Sequence, residues 1–139
     1  MGADEMAINK KENQIYVSVI LPSLNVVQYI RECMESVLNQ TMSQIEVLCV
    51  DAGSTDGTLE ILKEYASRDA RVHLIESKKK SYGYQMNLGI QAAKGQYVGI
   101  VETDDFIELS MFHDLYSYAG NGYPDFIRGG YYDYAEFRN

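Results

Sequence analysis

The chain alternates short apolar runs with helically spaced segments, and this order most limits the folds open to it. The runs cover residues 15–21, 45–50, 71–76 and 96–101. The first two are nearly continuous, as strands covered on both faces are. Between the runs, apolar residues recur at helical spacing through Val26, Tyr29, Ile30, Cys33 and Val37, and again through Leu59, Leu62, Tyr65 and Ala66. Residues 82–93 and 108–118 give two more helical patterns. Pro22, which lacks an N–H, is expected to end the first strand. Asn25 is expected to cap the first helix and a residue in 54–56 the second. A further strand is expected at 125–128 after a turn at 120–124, followed by an aromatic stretch at 131–137. Alternation of this kind predicts an α/β three-layer sandwich with a mostly parallel sheet and right-handed crossovers.

In such sheets ligands bind beyond the carboxyl ends of the strands. Three polar loops meet that condition, at 22–25, 51–57 and 102–105. The last holds Glu102, Asp104 and Asp105 directly after an apolar strand. Clustered carboxylates repel one another, and a hard divalent cation with oxygen ligands offsets that repulsion. Taken alone, three acids after a strand also suit a solvated turn; the other two loops favour a ligand. Asp51 ends a strand and can accept from an N–H or a ribose hydroxyl. Gly53 and Gly57 allow backbone shapes that bring N–H groups close to a ligand. The chemistry that fits is nucleoside diphosphate binding with metal-assisted departure of the leaving group. The basic run Lys78, Lys79 and Lys80 suits a solvated loop or local positive charge near a phosphate.

The net charge of −8 argues against non-specific nucleic-acid binding. It also means that an anionic ligand needs local help from a metal, a helix N-terminus or a few basic residues. Length and composition suit one domain over 14–139, with residues 1–13 as a disordered extension. Cys33 and Cys49 read as buried free thiols of a reducing compartment, with no zinc or redox spacing. No secretory signal opens the chain and no apolar run approaches a membrane span, so a cytoplasmic location is expected. Peripheral docking of the full-length protein at the inner membrane face is compatible with this. His73 and His113 read as structural or surface residues.

Five segments together resemble the family 2 glycosyltransferases. They are Val17-Ser-Val-Ile-Leu-Pro-Ser-Leu-Asn25, Glu35-Ser-Val-Leu-Asn-Gln-Thr41, Val50-Asp-Ala-Gly-Ser-Thr-Asp-Gly57, Asn87-Leu-Gly89 and Lys94-Gly-Gln-Tyr-Val-Gly-Ile-Val-Glu-Thr-Asp-Asp105. The resemblance covers roughly residues 15–130 and implies the GT-A fold and inverting transfer from a nucleotide sugar, with UDP as the expected nucleotide. The implied acceptor is a glycan or a lipid-linked molecule, and the implied cofactor is Mn²⁺ or Mg²⁺. It places Pro22, Ser23, Asn25, Asp51, Gly53, Asp56, Lys80, Glu102 and Thr103 around the nucleotide, with Asp51 on the base. The implied metal ligands are Asp104, Asp105 and Glu102, with Asp104 foremost.

Three positions depart from the family pattern. Glu102 stands where Asp is usual, Ala52 replaces a second polar residue, and Met86 replaces a frequent Arg. Glu108, Asp114, Asp125 and Asp133 are available acids, yet none falls where the family's general base is expected. That base is expected beyond Asn139, which makes this chain the donor-binding half of a longer enzyme and inactive alone. The competing class is a non-catalytic nucleotide-sugar or scaffolding domain that keeps the fold. A receiver domain would need an acidic pair after the first strand, and a dinucleotide dehydrogenase would need its glycine fingerprint. Neither is present.

Overall fold

The structure is a computed structural model and describes residues 14–119. Its strands are β1 (Val17–Ser23), β2 (Ile45–Asp51), β3 (Val72–Glu76) and β4 (Tyr97–Ile100). Its helices are α1 (Ile30–Leu38), α2 (Thr58–Arg68), α3 (Tyr82–Ala92) and α4 (Met111–Ala119). The four strands are parallel, in the order β3-β2-β1-β4. The chain steps outward from β1 to β2 to β3, then returns past β1 to β4. Right-handed crossovers place the helices of the outward steps on one face and the helix of the return on the other.

The core follows that division. On one face Val19, Leu21, Val47 and Cys49 pack with Ile30, Met34 and Val37 of α1, Leu62 and Tyr65 of α2, and Phe112 of α4. On the other, Ile20, Leu48 and Val50 pack with Met86 of α3. β1 and β2 are buried at every position, which explains their nearly continuous apolar character. The expected three-layer sandwich is therefore present, with a sheet that is wholly parallel among the described residues.

Pro22 does not end β1, because its missing N–H falls where no ladder bond is available. The main chain of even-numbered β1 residues faces β4, as Ile20 shows by accepting from Val101. β4 stops at Ile100, opposite Ile20. Pro22 therefore remains in β1 opposite Val50 of β2, and its carbonyl accepts from the Thr103 hydroxyl at 2.7 Å. Asn25 does not cap α1. Its φ is +54°, a left-handed conformation that short polar residues tolerate, and its Oδ1 accepts from Thr55 N across the loop. The chain turns through residues 27–29 before α1 begins at Ile30. The N-cap of α2 is Gly57, with φ +106° and no side-chain cap bond, one position past the expected stretch; Asp56 just before it accepts at Oδ1 from Thr58 N at 3.0 Å and from the Thr58 hydroxyl at 2.6 Å. The expected extension at 1–13, turn at 120–124, strand at 125–128 and aromatic stretch lie outside the described residues.

At the opposite, amino end of the sheet, Glu46 is buried on the α3 face of β2. Its Oε2 accepts from the Ser18 hydroxyl and from Lys94 N, both at 2.6 Å, and Ser18 Oγ accepts from Gly95 N at 2.7 Å. This network seats the turn between α3 and β4 against β1. A Cβ on Gly95 would lie 2.7 Å from the Ser18 backbone nitrogen, so glycine is required there by space. A Cβ on Gly83, inside α3, would meet nothing within 4 Å. Gly95→Ala is therefore expected to destabilise the fold by about 1–3 kcal/mol, as overpacking against backbone does. Gly83→Ala is expected to stabilise it by about 0.5–1 kcal/mol through helix propensity. Urea denaturation of the two variants checks both signs.

Candidate functional site

β1 and β4 are neighbours in the sheet, yet α1, which follows β1, packs on one face and α3, which leads into β4, packs on the other. A crevice forms at their carboxyl ends, the topological switch point at which parallel sheets bind ligands. The loops after β1 and β4 flank it, and the loop after β2 joins the first.

The loops after β1 and β2 are bound to each other by side chains. Asn25 N donates to Ser54 Oγ at 2.9 Å, Val26 N to Thr58 Oγ1 at 3.0 Å, and Val27 N to Asp56 Oδ2 at 3.1 Å. Ala52 N donates to Ser23 O at 3.0 Å. Asp51 is 1 % exposed and anchors the set. Its Oδ1 accepts from the hydroxyls of Ser23 and Ser54, and its Oδ2 accepts from Gly53 N and Ser54 N. Gly53 has φ +88°, which lets the chain fold back over that carboxylate. The hydrogen bonds that Asp56 accepts, foremost from Thr58, hold its carboxyl below the ordinary range.

The acidic loop is attached on the other side of the crevice. Thr103 is buried and donates to Pro22 O, while Asp105 N donates to Glu102 O to close a turn. Glu102, Asp104 and Asp105 are exposed. Partial burial raises the Asp105 carboxyl, and the charges of Asp104 and Glu102 raise it further. Burial pushes the thiol of Cys33 beneath the loop up to about 12, with help from Asp105 and Asp104. The hydroxyl of Tyr82, the first residue of α3, donates to Glu102 Oε1 at 2.6 Å. That bond, then burial, pushes the Tyr82 phenol up to about 12, so it remains a donor at neutral pH.

The expected site residues thus separate into two sets. Asn25, Gly53, Asp56, Lys80, Glu102, Asp104 and Asp105 are exposed. Pro22, Ser23, Asp51 and Thr103 are buried, and the polar groups of all four are engaged within the protein. Asp51, which the resemblance places on the base, shapes the turn at 51–54. Among the described residues no three acidic, histidine or cysteine side chains converge into a ready metal cage. The donor set nevertheless suits Mg²⁺ or Mn²⁺, which take one or two carboxylates and complete their shell with phosphate oxygens and water. His73 and His113 are exposed, and His113 lies 3.4 Å from Asp114. Among the described residues no helix is long and apolar enough to cross a membrane.

Three contributors escaped sequence reasoning. Gln85 of α3 is buried and donates from Nε2 to Ser23 O and Val50 O, fastening the ends of β1 and β2. Gln40 donates to Glu108 O at 2.6 Å and accepts from Phe112 N at 3.0 Å, gripping the segment that follows the acids. Tyr82 reaches Glu102 as described. A polar residue buried inside an otherwise apolar pattern was the available signal for Gln85; for Gln40 and Tyr82 the sequence held none.

Comparison with known proteins agrees with this architecture. The family described as Glycosyl transferase family 2 matches residues 18–138. The glycosyltransferase EpsJ of Bacillus subtilis is 38% identical over 122 residues, covering 88% of this chain and 36% of EpsJ. The chain therefore spans little more than a third of that relative's length. Among solved structures, S. aureus TarS 1-349 in complex with UDP superposes with a TM-score of 0.70 at 28% identity, covering 76% of this chain and 32% of that one. The mannosyltransferase PcManGT of Pyrobaculum calidifontis, in complex with GDP-Man and Mn²⁺, gives a TM-score of 0.61 at 26% identity, covering 67% of this chain and 28% of that one. With the motifs, the parallel sheet and the switch-point loops in agreement, the chain belongs to the family 2 glycosyltransferases and has the GT-A fold.

Proposed function

We propose that this chain binds the nucleotide-sugar donor of an inverting glycosyltransferase, with UDP as the nucleotide and a glycan or lipid-linked molecule as the acceptor. The observation that carries the reading is the placement of three exposed carboxylates at the switch point, opposite a loop pair held rigid from within. The nucleoside side of the pocket is formed by Asn25, Gly53 and Asp56. Pro22, Ser23, Asp51 and Thr103 form the frame beneath, and Lys80 supplies local positive charge. TarS, which resembles this chain over most of its described length, is known in complex with UDP and with UDP-GlcNAc.

In this reading Asp104 and Asp105 hold a divalent cation, with Glu102 at the edge of the same corner. When bound, the cation neutralises charge on the departing diphosphate. The residues of the chain orient the donor so that an acceptor hydroxyl can displace the diphosphate from the anomeric carbon. That displacement needs a general base, and no residue described here is assigned the role. The exposed Glu108 and Asp114 lie beyond the acidic loop, and Asp125 and Asp133 lie outside the described residues.

Isothermal titration of the 139-residue chain with UDP in Mn²⁺ tests the reading. Binding is expected with Mn²⁺ and is expected to fall at least about tenfold in Asp104→Ala, a loss of about 1.4 kcal/mol. Absence of UDP binding in Mn²⁺ and in Mg²⁺ would sink it. A second expectation comes from the repulsion within the corner. Asp105→Asn removes one like charge and is expected to raise the melting temperature in metal-free buffer. Mn²⁺ with UDP at about 100 times Kd is expected to stabilise the wild-type chain by about 2.7 kcal/mol and the variant by much less. Thermal melts with and without EDTA read both effects.

A further inference from the structure

Tyr82 opens α3, which covers the β1–β2 side of the sheet, and Glu102 follows β4 at the sheet edge. Their side chains meet across the crevice through the 2.6 Å hydrogen bond from the Tyr82 hydroxyl to Glu102 Oε1. Both residues are exposed, with Tyr82 at 52%, so core packing does not force the contact. Glu102 is one methylene longer than the Asp usual at this position. The added length is directed toward α3.

We propose that Tyr82 is a positioning residue for donor binding, holding Glu102 in one orientation at the edge of the acidic corner. The proposal rests on the nucleotide-binding reading given above. A glutamate on an exposed loop samples many rotamers, and binding a ligand through it carries the entropic cost of choosing one. The Tyr82 hydrogen bond makes that choice before the ligand arrives. It occupies Oε1, while Oε2 takes no hydrogen bond among the described residues and is left to accept from a ligand hydroxyl. The contact also ties the N-terminus of α3, and with it the basic run Lys78, Lys79 and Lys80, to the acidic side of the crevice. The longer acid and the tyrosine thus work as a pair: a carboxylate one methylene shorter would not span to α3.

The test is a double-mutant cycle on the 139-residue chain, read by titration with UDP in Mn²⁺. Tyr82→Phe removes only the hydroxyl and is expected to weaken UDP binding about three- to tenfold, the cost of leaving one side chain to be ordered by the ligand. Glu102→Asp keeps the charge but loses the reach, and is expected to weaken binding similarly. In the Glu102→Asp background, Tyr82→Phe is expected to add less than about twofold. The melting temperature of Tyr82→Phe is expected to stay within about 1 °C of wild type, because the residue is exposed. Unchanged UDP affinity in Tyr82→Phe, with or without a lower melting temperature, overturns the proposal. So does an equal loss in both backgrounds, which would mean that the phenol acts without Glu102. If the wild-type chain binds no UDP, the donor reading fails and takes the role of the pair with it; binding that is insensitive to Tyr82 removes the pair alone.

Discussion

The carboxylate of Asp51 lies buried where β2 ends, and its two oxygens accept four hydrogen bonds from Ser23, Gly53 and Ser54. A buried carboxylate is expensive unless its lone pairs are met, so the structure around it has little freedom to rearrange. Ser23 ends β1, and Ser54 in turn holds Asn25 N. One side chain therefore fixes the distance between two strand ends and the path of both loops that leave them. Ser77 N donates to Asp51 O at 2.7 Å, which brings in the chain after β3 as well. Both loops on that side of the crevice are built outward from this point.

The acidic side follows a different principle. There the carboxylates face solvent and one another, and Asp105 is raised by its surroundings. Few stabilising contacts hold these groups as they stand. The cost is local, because the backbone beneath them is tied to β1 through Thr103 and to α1 through Cys33 Sγ and Glu102 O at 3.8 Å. A well-satisfied frame thus carries a poorly satisfied edge, a distribution that the proposed role of the edge in ligand binding accounts for.

Much of this was legible in the sequence for a simple reason. β1 and β2 are covered on both faces, and nearly continuous apolar runs such as residues 15–21 have few other uses. The convergence of the three loops followed from the parallel order and needed no side-chain information. What stayed hidden depended on partners distant in sequence. Gln40 meets Phe112, Gln85 meets Ser23, and Thr103 meets Pro22, separations of 72, 62 and 81 residues. Periodicity reports only neighbours on one element, so Gln40 and Gln85 looked like turn or helix filler, and Thr103, expected at the nucleotide, gave no sign of its bond to Pro22. Pro22 misled for a related reason. A missing N–H breaks a ladder only where a neighbouring strand is present, and the early end of β4 is a property of the sheet and not of the local sequence.

The segment after the acids is held at both ends of a short interval. Thr103 is bound to Pro22 O, and Ile107 N donates to Ser36 Oγ at 3.1 Å. Asp104 and Asp105 lie inside that interval, between two moorings set on separate layers of the sandwich. A loop spanning so few residues between fixed points has little backbone entropy left to lose. Cation capture at this corner would then be a matter of side-chain rotation and exchange of water, with no disorder-to-order transition of the chain. On the proposed nucleotide-binding reading, such a corner would take up a ligand by side-chain rotation alone, with the loop already in place.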